Sequence, residues 1–410
     1  MKRTIDDIDV RGKRVLARLD LNVPLDDDGR ITDDRRIRAV LPTIKKLIAG
    51  GGRLILMSHL GRPDEEPEHK HKYTLAPVAK RWSELLDKNV TLLPDCVGPK
   101  IAEAVGKLRD GEVCLLENLR FHPAETIKDK KAAADPKLKE QKESFARQIA
   151  ALGEVYVNDA FGTCHRDNAS MLTVPKLMAG RPRVAGYLVQ RELKFLGEAL
   201  ANPKRPFVCV LGGAKVSDKL GVIRSLLGKC DSILVGGAMA YTFLAADGMN
   251  VGRSLVEPDL FVTARELRKT AGDRLRLPVD SVAAAEIKLG VATIACESSI
   301  PPDKMGLDIG PKTIQAFRAA ILTAKTIVWN GPMGVFETPP FDSGTLAMAT
   351  AIAEVTHHGA VSIVGGGDSA AAIDKLGMAE RMTHISTGGG ASLEFLEGKP
   401  FLPIEILDDA

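Results

Sequence analysis

Aromatic side chains are scarce in this chain: Phe, Trp and Tyr together make up 4% of it. A nucleic-acid surface built on base stacking therefore has few platforms. The basic residues do not compensate, because they are interleaved with acids and leave a net charge of only +3, so no nucleic-acid partner is expected. No run of about 18 uncharged apolar residues occurs, so nothing is expected to span a membrane. The first residues, MKRTIDDIDVRGKR, are charged and hold no apolar core segment, so no export signal is expected. The six cysteines, Cys96, Cys114, Cys164, Cys209, Cys230 and Cys296, form no C-x-x-C pair. Most lie in apolar strings, the pattern of small buried thiols in a reducing compartment, which predicts a cytoplasmic protein. A G-x-x-x-x-G-K-[ST] loop is also missing, and the turn after the first strand, Asp20 to Pro24, has no glycine.

What is present is an ordinary globular composition, 45% hydrophobic and 27% charged, in a chain of 410 residues. That length exceeds what one hydrophobic core organises, so two lobes are expected. Arg14 to Leu21 reads as a strand stopped by Asn22, Val23 and Pro24. Ile37, Val40, Leu41, Ile44, Leu47 and Ile48 then recur at helical spacing until Gly50 to Gly52, and Leu54 to Met57 is the next strand, running into Ser58 to Pro63. The alternation continues through a helix around Leu75 to Leu86, a strand Val113 to Leu116, a helix around Phe145 to Leu152 and a strand Val155 to Val157. Such a rhythm implies a parallel sheet wrapped on both faces. Between Glu125 and Lys142 the residues are almost all charged or alanine, which predicts a solvated helical excursion.

In this lobe polar residues follow strand after strand: Asp20 and Asn22, His59 and Arg62, Arg120, then His165 and Arg166, with Arg36 at the start of the first helix. The carboxyl ends of parallel strands share one edge, so these side chains should converge there. Like charges at ~4 Å repel by ~1 to 4 kcal/mol each, so an anion is expected among them, and a phosphorylated carboxylic acid suits the arginine fork. Singly, each arginine reads as half of a surface ion pair and His59 as a structural histidine. Their recurrence at strand ends is what points to a ligand.

Val184 to Leu200 reads as one amphipathic helix, with Asn202, Pro203 and Pro206 after it. The boundary is placed here: residues 1–184 as the first lobe, 185–200 as an interdomain helix and 201–392 as the second lobe. In the second lobe glycine stands where arginine stood. Phe207 to Leu211 runs into Gly212 and Gly213, and Ser217 precedes an apolar-periodic run of Leu220, Ile223, Leu226 and Leu227. Glycine lets backbone N–H groups approach an anion, and a new helix offers unpaired N–H groups, so the turn suggests phosphate binding. Lys215 and Lys219 are four residues apart, so a helix starting early enough would put both ammonium groups on one face. The plain alternative is a tight turn with two solvated lysines. Glycines also follow Ser232 to Val235, Thr326 to Trp329, Val361 to Val364 and His384 to Ser386, which together suggest a backbone-lined nucleotide seat. Gly365 to Ala370 fits G-x-G-x-x-A, but the acidic residue expected ~20 positions on is not evident. Asp368 beside such a turn would repel phosphate unless a cation intervened, which points to magnesium.

Taken together, the residues resemble phosphoglycerate kinase over essentially the whole chain. The motifs that carry the likeness are RLDLNVP (Arg18 to Pro24), ITDDRRIRAVLPTI (Ile31 to Ile44), SHLGRP (Ser58 to Pro63), ENLRFHP (Glu117 to Pro123), VNDAFGTCHR (Val157 to Arg166) and ELKFLG (Glu192 to Gly197), followed by LGGAKVSDK (Leu211 to Lys219), MGLDIGP (Met305 to Pro311), WNGPMGVFE (Trp329 to Glu337), GGGDS (Gly365 to Ser369) and STGGGASLEFLEGK (Ser386 to Lys399). The resemblance implies an α/β fold of two doubly wound, Rossmann-like parallel-sheet lobes joined by a long interdomain helix and hinge, with a tail 393–410 packing back on the first lobe. It implies reversible phosphoryl transfer from 1,3-bisphosphoglycerate to ADP, giving 3-phosphoglycerate and ATP, by a monomer that uses magnesium. By the same resemblance Asp20, Leu21, Asn22, Arg36, His59, Leu60, Gly61, Arg62, Arg120 and Arg166 hold the phosphoglycerate. Gly212, Gly213, Lys215, Lys219, Gly236, Gly237, Gly310, Asn330, Pro332, Glu337, Gly365, Gly366, Gly367 and Asp368 hold the nucleotide, Asp368 through the metal. Arg36, Lys215, Lys219, Gly388 and Gly389 are expected to act on the moving phosphoryl group.

In the direction of ATP use the nucleophile is a carboxylate, ionised near neutral pH, so no general base is expected. With acceptor and donor on different lobes, closure about Val184 to Leu200 is expected. One departure from the family is Cys164, where alanine is usual; it puts a thiol near Arg166 and predicts sensitivity to oxidants. The stretch Val282 to Ser299 matches the family poorly. Two rival readings remain. A dinucleotide-dependent oxidoreductase would need a glycine-rich first turn, and a two-lobed solute-binding protein would normally carry an export signal and leaves Asp368 without a role.

Overall fold

In the computed structural model, which describes residues 1–297 and 299–410, the apolar runs of the first half become β1 (Arg14–Leu19), β2 (Arg53–Met57), β3 (Val90–Leu92), β4 (Val113–Leu115), β5 (Val155–Asp159) and β6 (Arg183–Ala185). They pair in parallel in the order β3-β4-β2-β1-β5-β6. Helices cover both faces, so Val15, Leu16, Ala17, Leu54, Ile55 and Leu56 are all shut off from solvent; this is why the strands read as unbroken apolar runs rather than as alternation. The chain leaves β1 toward β2 on one side and returns to lay β5 and β6 on the other. A crevice opens at such a reversal, beside the carboxyl ends of the strands.

The second half begins with β7 (Phe207–Leu211), β8 (Ser232–Val235) and β9 (Leu275–Arg276). Three short strands follow, β10 (Ser281–Ala284), β11 (Ile294–Cys296) and β12 (Met305–Ile309), which form a separate antiparallel sheet in the order β11-β10-β12. The chain then returns to the main sheet with β13 (Thr326–Asn330), β14 (Val361–Gly365) and β15 (His384–Ile385). That sheet is parallel, in the order β15-β14-β13-β7-β8-β9, and its reversal lies between β7 and β13.

Two compact units result, Met1–Leu193 with Pro400–Ala410, and Lys194–Lys399. Residues 393–399, expected with the returning tail, instead belong to the second unit, where the helix Gly390–Leu396 lies against Leu220–Leu227. Within the first unit the terminal residues are tied down: Pro403 accepts a hydrogen bond from Asn158 Nδ2 at 3.1 Å, Arg183 pairs with Asp408 at 2.9 Å, and Lys2 pairs with Asp409 at 3.0 Å. The expected helix from Val184 starts only at Tyr187, because Arg183–Ala185 adds to the sheet edge and a Cβ at Gly186 would lie 2.3 Å from the Asp159 carboxyl carbon.

The excursion between Glu125 and Lys142 is not solvated at its ends. Glu125 is fully buried, and Lys142, 2% exposed, spends its ammonium on the carbonyls of Ile127 (2.7 Å) and Asp167 (2.6 Å) and on Asp129 (2.6 Å). Burying these charges is tolerable because each has partners.

Candidate functional site

Four loops leave the carboxyl edge of the first sheet beside its reversal, carrying Asp20 to Asn22, His59 to Arg62, Arg120 and Arg166. Arg36 joins them from the first turn of the helix Arg35–Ala49, donating from Nη1 to Asp20 Oδ2 at 2.5 Å. The loops are cross-tied by Asn118. Its Oδ1 accepts from the N–H of Leu60 (3.2 Å) and Arg120 (3.0 Å), and its Nδ2 donates to the carbonyls of Leu60 (2.7 Å) and Tyr73 (2.8 Å). Gly61 sits at φ +58, where a Cβ would lie 2.2 Å from the Tyr73 ring; its N–H holds Asn22 Oδ1 (2.8 Å) and its carbonyl holds Arg120 Nη1 (2.5 Å). Leu21 and Leu60 are buried and serve through their main chain, Leu21 N–H donating to Ser58 Oγ at 2.9 Å.

His59 is 3% exposed. Burial, and then the guanidinium groups of Arg18, Arg120, Arg166 and Arg36, hold its pKa well below the usual imidazole range, so it is neutral at pH 7. Arg120 is pulled down to about 10 by burial and then by Arg166 and Arg18. Its Nε is buried and, among the described residues, has no hydrogen-bond partner. A cationic cluster with an unmet buried donor has the chemistry to hold an anion.

Arg62 does not join the cluster: it is exposed and paired with Glu65 at 2.9 Å. Arg18, passed over in the sequence although it opens a motif, is wholly buried beside His59. Cys164 is a correction. Its thiol is fully buried and faces the Ala160 carbonyl at 3.4 Å, and burial pushes its pKa far up, so it is shielded from oxidants rather than sensitive to them.

In the second unit the loops after β7, β8 and β13 lock together through main-chain bonds: Gly212 N–H to Asn330 (2.9 Å), Gly213 N–H to Pro332 (3.0 Å), Gly236 N–H to Leu211 (2.8 Å) and Gly237 N–H to Met333 (2.9 Å). A Cβ at Gly212 would lie 2.0 Å from the Pro332 carbonyl oxygen, and one at Gly237 would lie 2.6 Å from Gly213 N. These glycines therefore serve the packing of backbone on backbone before they serve any ligand.

Behind them Lys219 is 9% exposed and its ammonium bonds Asn330 Oδ1. Burial lowers its pKa, opposed by attraction to Asp218 and Asp368. Asn330 Nδ2 is a buried donor without a partner among the described residues, and a Cβ at Gly366 would come within 2.9 Å of it. Gly367 and Asp368 open the helix Gly367–Lys375; the Asp368 carboxylate is exposed and makes no side-chain hydrogen bond or ion pair among the described residues, with Lys219 attracting it from a distance. Ser369 Oγ accepts from Gly331 N–H at 2.6 Å, which fixes this helix against the β13 turn.

Other expectations in this unit need revision. The helix after β7 begins at Leu220, so Lys215 stays exposed in the loop and does not share a helical face with Lys219; Ser217, which should have opened the helix, is held by Glu257 instead (2.6 Å). Gly310 opens the helix Pro311–Leu322, but the first N–H groups there already donate to Asp280, Lys312 N at 2.9 Å and Thr313 N at 2.7 Å. Gly310 is needed because a Cβ would lie 2.3 Å from that carboxyl group. Glu337 is exposed, and its carbonyl accepts from Lys375 at 3.3 Å. Gly388 N–H is taken by Ser386 Oγ at 3.1 Å, which leaves Gly389, at φ +53, at the start of the helix Gly390–Leu396.

An anion pocket on one unit and a lysine-bearing glycine seat on the other are what a phosphotransferase of the kind named above requires, and a family model described as phosphoglycerate kinase matches residues 5–399. The chain belongs to the phosphoglycerate kinase family. A phosphoglycerate kinase from Rhodopirellula baltica is 53% identical over 417 residues, and one from Chlorobium phaeobacteroides is 53% identical over 414; both alignments cover the whole of each chain. Among solved structures, phosphoglycerate kinase from Coxiella burnetii superposes with a TM-score of 0.84 at 38% identity, covering 99% of this chain and 98% of that one. The enzyme from Pyrococcus horikoshii gives 0.83 at 33% identity with the same coverage. As a phosphoglycerate kinase the chain transfers a phosphoryl group reversibly between 1,3-bisphosphoglycerate and ADP, a step of glycolysis. Among the described residues no helix is long and apolar enough to cross a membrane.

Proposed function

We propose that Asp20, Asn22, Arg36, His59, Arg120 and Arg166, with the main chain of Leu21, Leu60 and Gly61, seat the phosphoglycerate, and that Lys215, Lys219, Asn330 and the turn Gly365–Asp368 seat the nucleotide. The observation that carries this is the buried Arg120 Nε, without a hydrogen-bond partner among the described residues, inside a cluster where Asp20 pairs with Arg36 and the cations otherwise outnumber the carboxylates that touch them. Arg62 can join by giving up its exposed partner Glu65, a pair worth under about 1 kcal/mol. Gly212, Gly213, Gly236, Gly237, Pro332 and Gly310 shape the nucleotide seat through packing, Glu337 stands at its rim, and Gly389 supplies a further main-chain donor.

Asp368 fits a magnesium site, being an exposed carboxylate that makes no ion pair among the described residues, at the opening of a helix beside the expected phosphates. When bound with the nucleotide, the ion neutralises phosphate oxygens. The chain's own contribution is alignment and charge. Arg36 and Lys219 face the moving group with Lys215 beside them, and because the acceptor is an ionised carboxylate no residue need take a proton. Holding two reactants in line can by itself contribute roughly 7 to 11 kcal/mol. Since acceptor and donor groups come from different units, transfer calls for a closing step, and solution scattering should show a more compact particle with both substrates bound; an unchanged profile would argue against it. All six cysteines are free and buried, which supports a reducing, cytoplasmic setting.

The experiment is Arg36→Ala in a coupled assay for ATP formation. Turnover should fall far more than nucleotide affinity. Equal losses in both would contradict the role given to Arg36.

A further inference from the structure

Arg18 is a guanidinium with no solvent exposure, and among the described residues no carboxylate touches it. Such a charge needs an answering one. Its donors go to three places: Nη1 to the Leu19 carbonyl, Nη2 to His59 Nδ1 at 3.3 Å, and Nε to Ser170 Oγ at 2.9 Å. The Ser170 hydroxyl, having accepted from Arg18, donates to Glu125 Oε1 at 2.6 Å, and the other Glu125 oxygen accepts Ser170 N–H at 2.9 Å. Ser170 and Glu125 are both fully buried. Tyr156 holds the Ser170 carbonyl at 3.0 Å, and Lys142 pins the Ile127 and Asp167 carbonyls on either side, so Glu125 cannot swing away to water. The counter-charge of Arg18 is thus Glu125, one hydroxyl removed.

The outer end of the relay fixes the histidine. A guanidinium only donates, so His59 Nδ1 accepts and the ring proton resides on Nε2. We propose that Glu125, acting through the Ser170 hydroxyl, is a positioning residue for phosphoglycerate binding: it holds Arg18 where it keeps His59 in the Nε2–H form, leaving that N–H to donate to the bound acid. The proposal rests on the reading of this pocket as the phosphoglycerate seat. It also assigns a task to the charged segment after Arg120, which would otherwise pass for solvent-facing helix.

The test uses the full-length enzyme with ¹⁵N-labelled histidine, and two variants. Ser170→Ala deletes the bridging hydroxyl; Glu125→Gln keeps the shape and one of the two accepting oxygens but removes the charge. In the unmodified enzyme near neutral pH, without ligand, His59 should give the nitrogen shifts of a neutral ring protonated on Nε2. In Ser170→Ala both tautomers should appear, and the Kd for 3-phosphoglycerate should rise roughly tenfold, the effect of loosening one charge-assisted bond, while nucleotide binding is unchanged. Glu125→Gln should move both readouts the same way, and it alone decides the matter if Ser170→Ala does not fold. An Nδ1–H or charged His59 in the unmodified enzyme overturns the proposal, as do variants with unaltered tautomer and affinity. If instead Arg36→Ala and Arg120→Ala left 3-phosphoglycerate binding unchanged, the pocket assignment would fall, and the ligand-free histidine spectrum of the unmodified enzyme would still judge the relay.

Discussion

Gly212 separates two uses of glycine. In Gly212→Ala the new Cβ would lie 2.0 Å from the Pro332 carbonyl oxygen and 2.7 Å from that of Gly331, both main-chain atoms that cannot swing aside. The turns after β7 and β13 would have to part, straining the bonds from Gly212 N to Asn330 (2.9 Å) and from Gly213 N to Pro332 (3.0 Å). A buried hydrogen bond left unmet costs about 1 to 3 kcal/mol, so the two together cost about 2 to 6 kcal/mol. For a unit of this size that corresponds to a fall in Tm of roughly 5 to 20 °C, read from circular dichroism melts without nucleotide. Gly367→Ala is the control: no atom lies within 4 Å of its Cβ and its backbone is ordinary helix, so stability should hold to about 0.5 kcal/mol while nucleotide affinity drops. If Gly212→Ala melted with the parent and lost only nucleotide binding, the packing account of these glycines would be wrong.

Three further outcomes are expected. Burial pushes the Asp308 carboxyl up to about 7, against the N–H groups of Gly344 and Ile309 that it accepts. Its folded pKa lies above the unfolded value near 3.9, so the stability it contributes is complete below about pH 4 and lost as pH rises through about 7. Asp308→Asn should flatten the pH dependence of denaturant stability across that window, and an unchanged slope would reject a protonated Asp308. Lys219→Met removes a buried ammonium while keeping most of its stem, and should cut turnover by roughly 10²-fold or more with little change in melting; near-normal turnover would remove Lys219 from the reaction. All six cysteines are buried, and Cys96, Cys114, Cys164 and Cys209 have thiol pKa values raised by burial, so a disulfide reagent should label the native protein slowly and the unfolded protein six-fold. Rapid labelling of one native thiol would contradict this.

The parallel sheets were legible because strands buried on both faces leave continuous apolar runs, and the placing of Asp20, His59, Arg120 and Arg166 followed from the shared carboxyl edge of those strands. Buried charge was not legible. Arg18, Glu125 and Lys142 look like surface residues in one dimension, because only the fold reveals that each has a partner far along the chain. The glycines were seen but their first purpose was not, since the close approach of Gly212 to Pro332 joins residues more than a hundred positions apart. The antiparallel strands β10 and β11 escaped notice because they are short and Ile294 is partly outside, which blurs any periodicity. The condition set for Lys215 and Lys219 to share a face, an early helix start, is not met: four-residue spacing means one face only where a helix has begun, and the helix begins at Leu220.

The ties that hold Pro403, Asp408 and Asp409 to Asn158, Arg183 and Lys2 bear on how the protein is made. Residues 400–410 leave the ribosome after the whole of 194–399, so the half that starts synthesis first is the half that finishes last. A nascent chain can complete the unit 194–399 while the other still lacks its closing clasp, and premature termination near residue 399 would release a molecule with one sound unit and one left ajar.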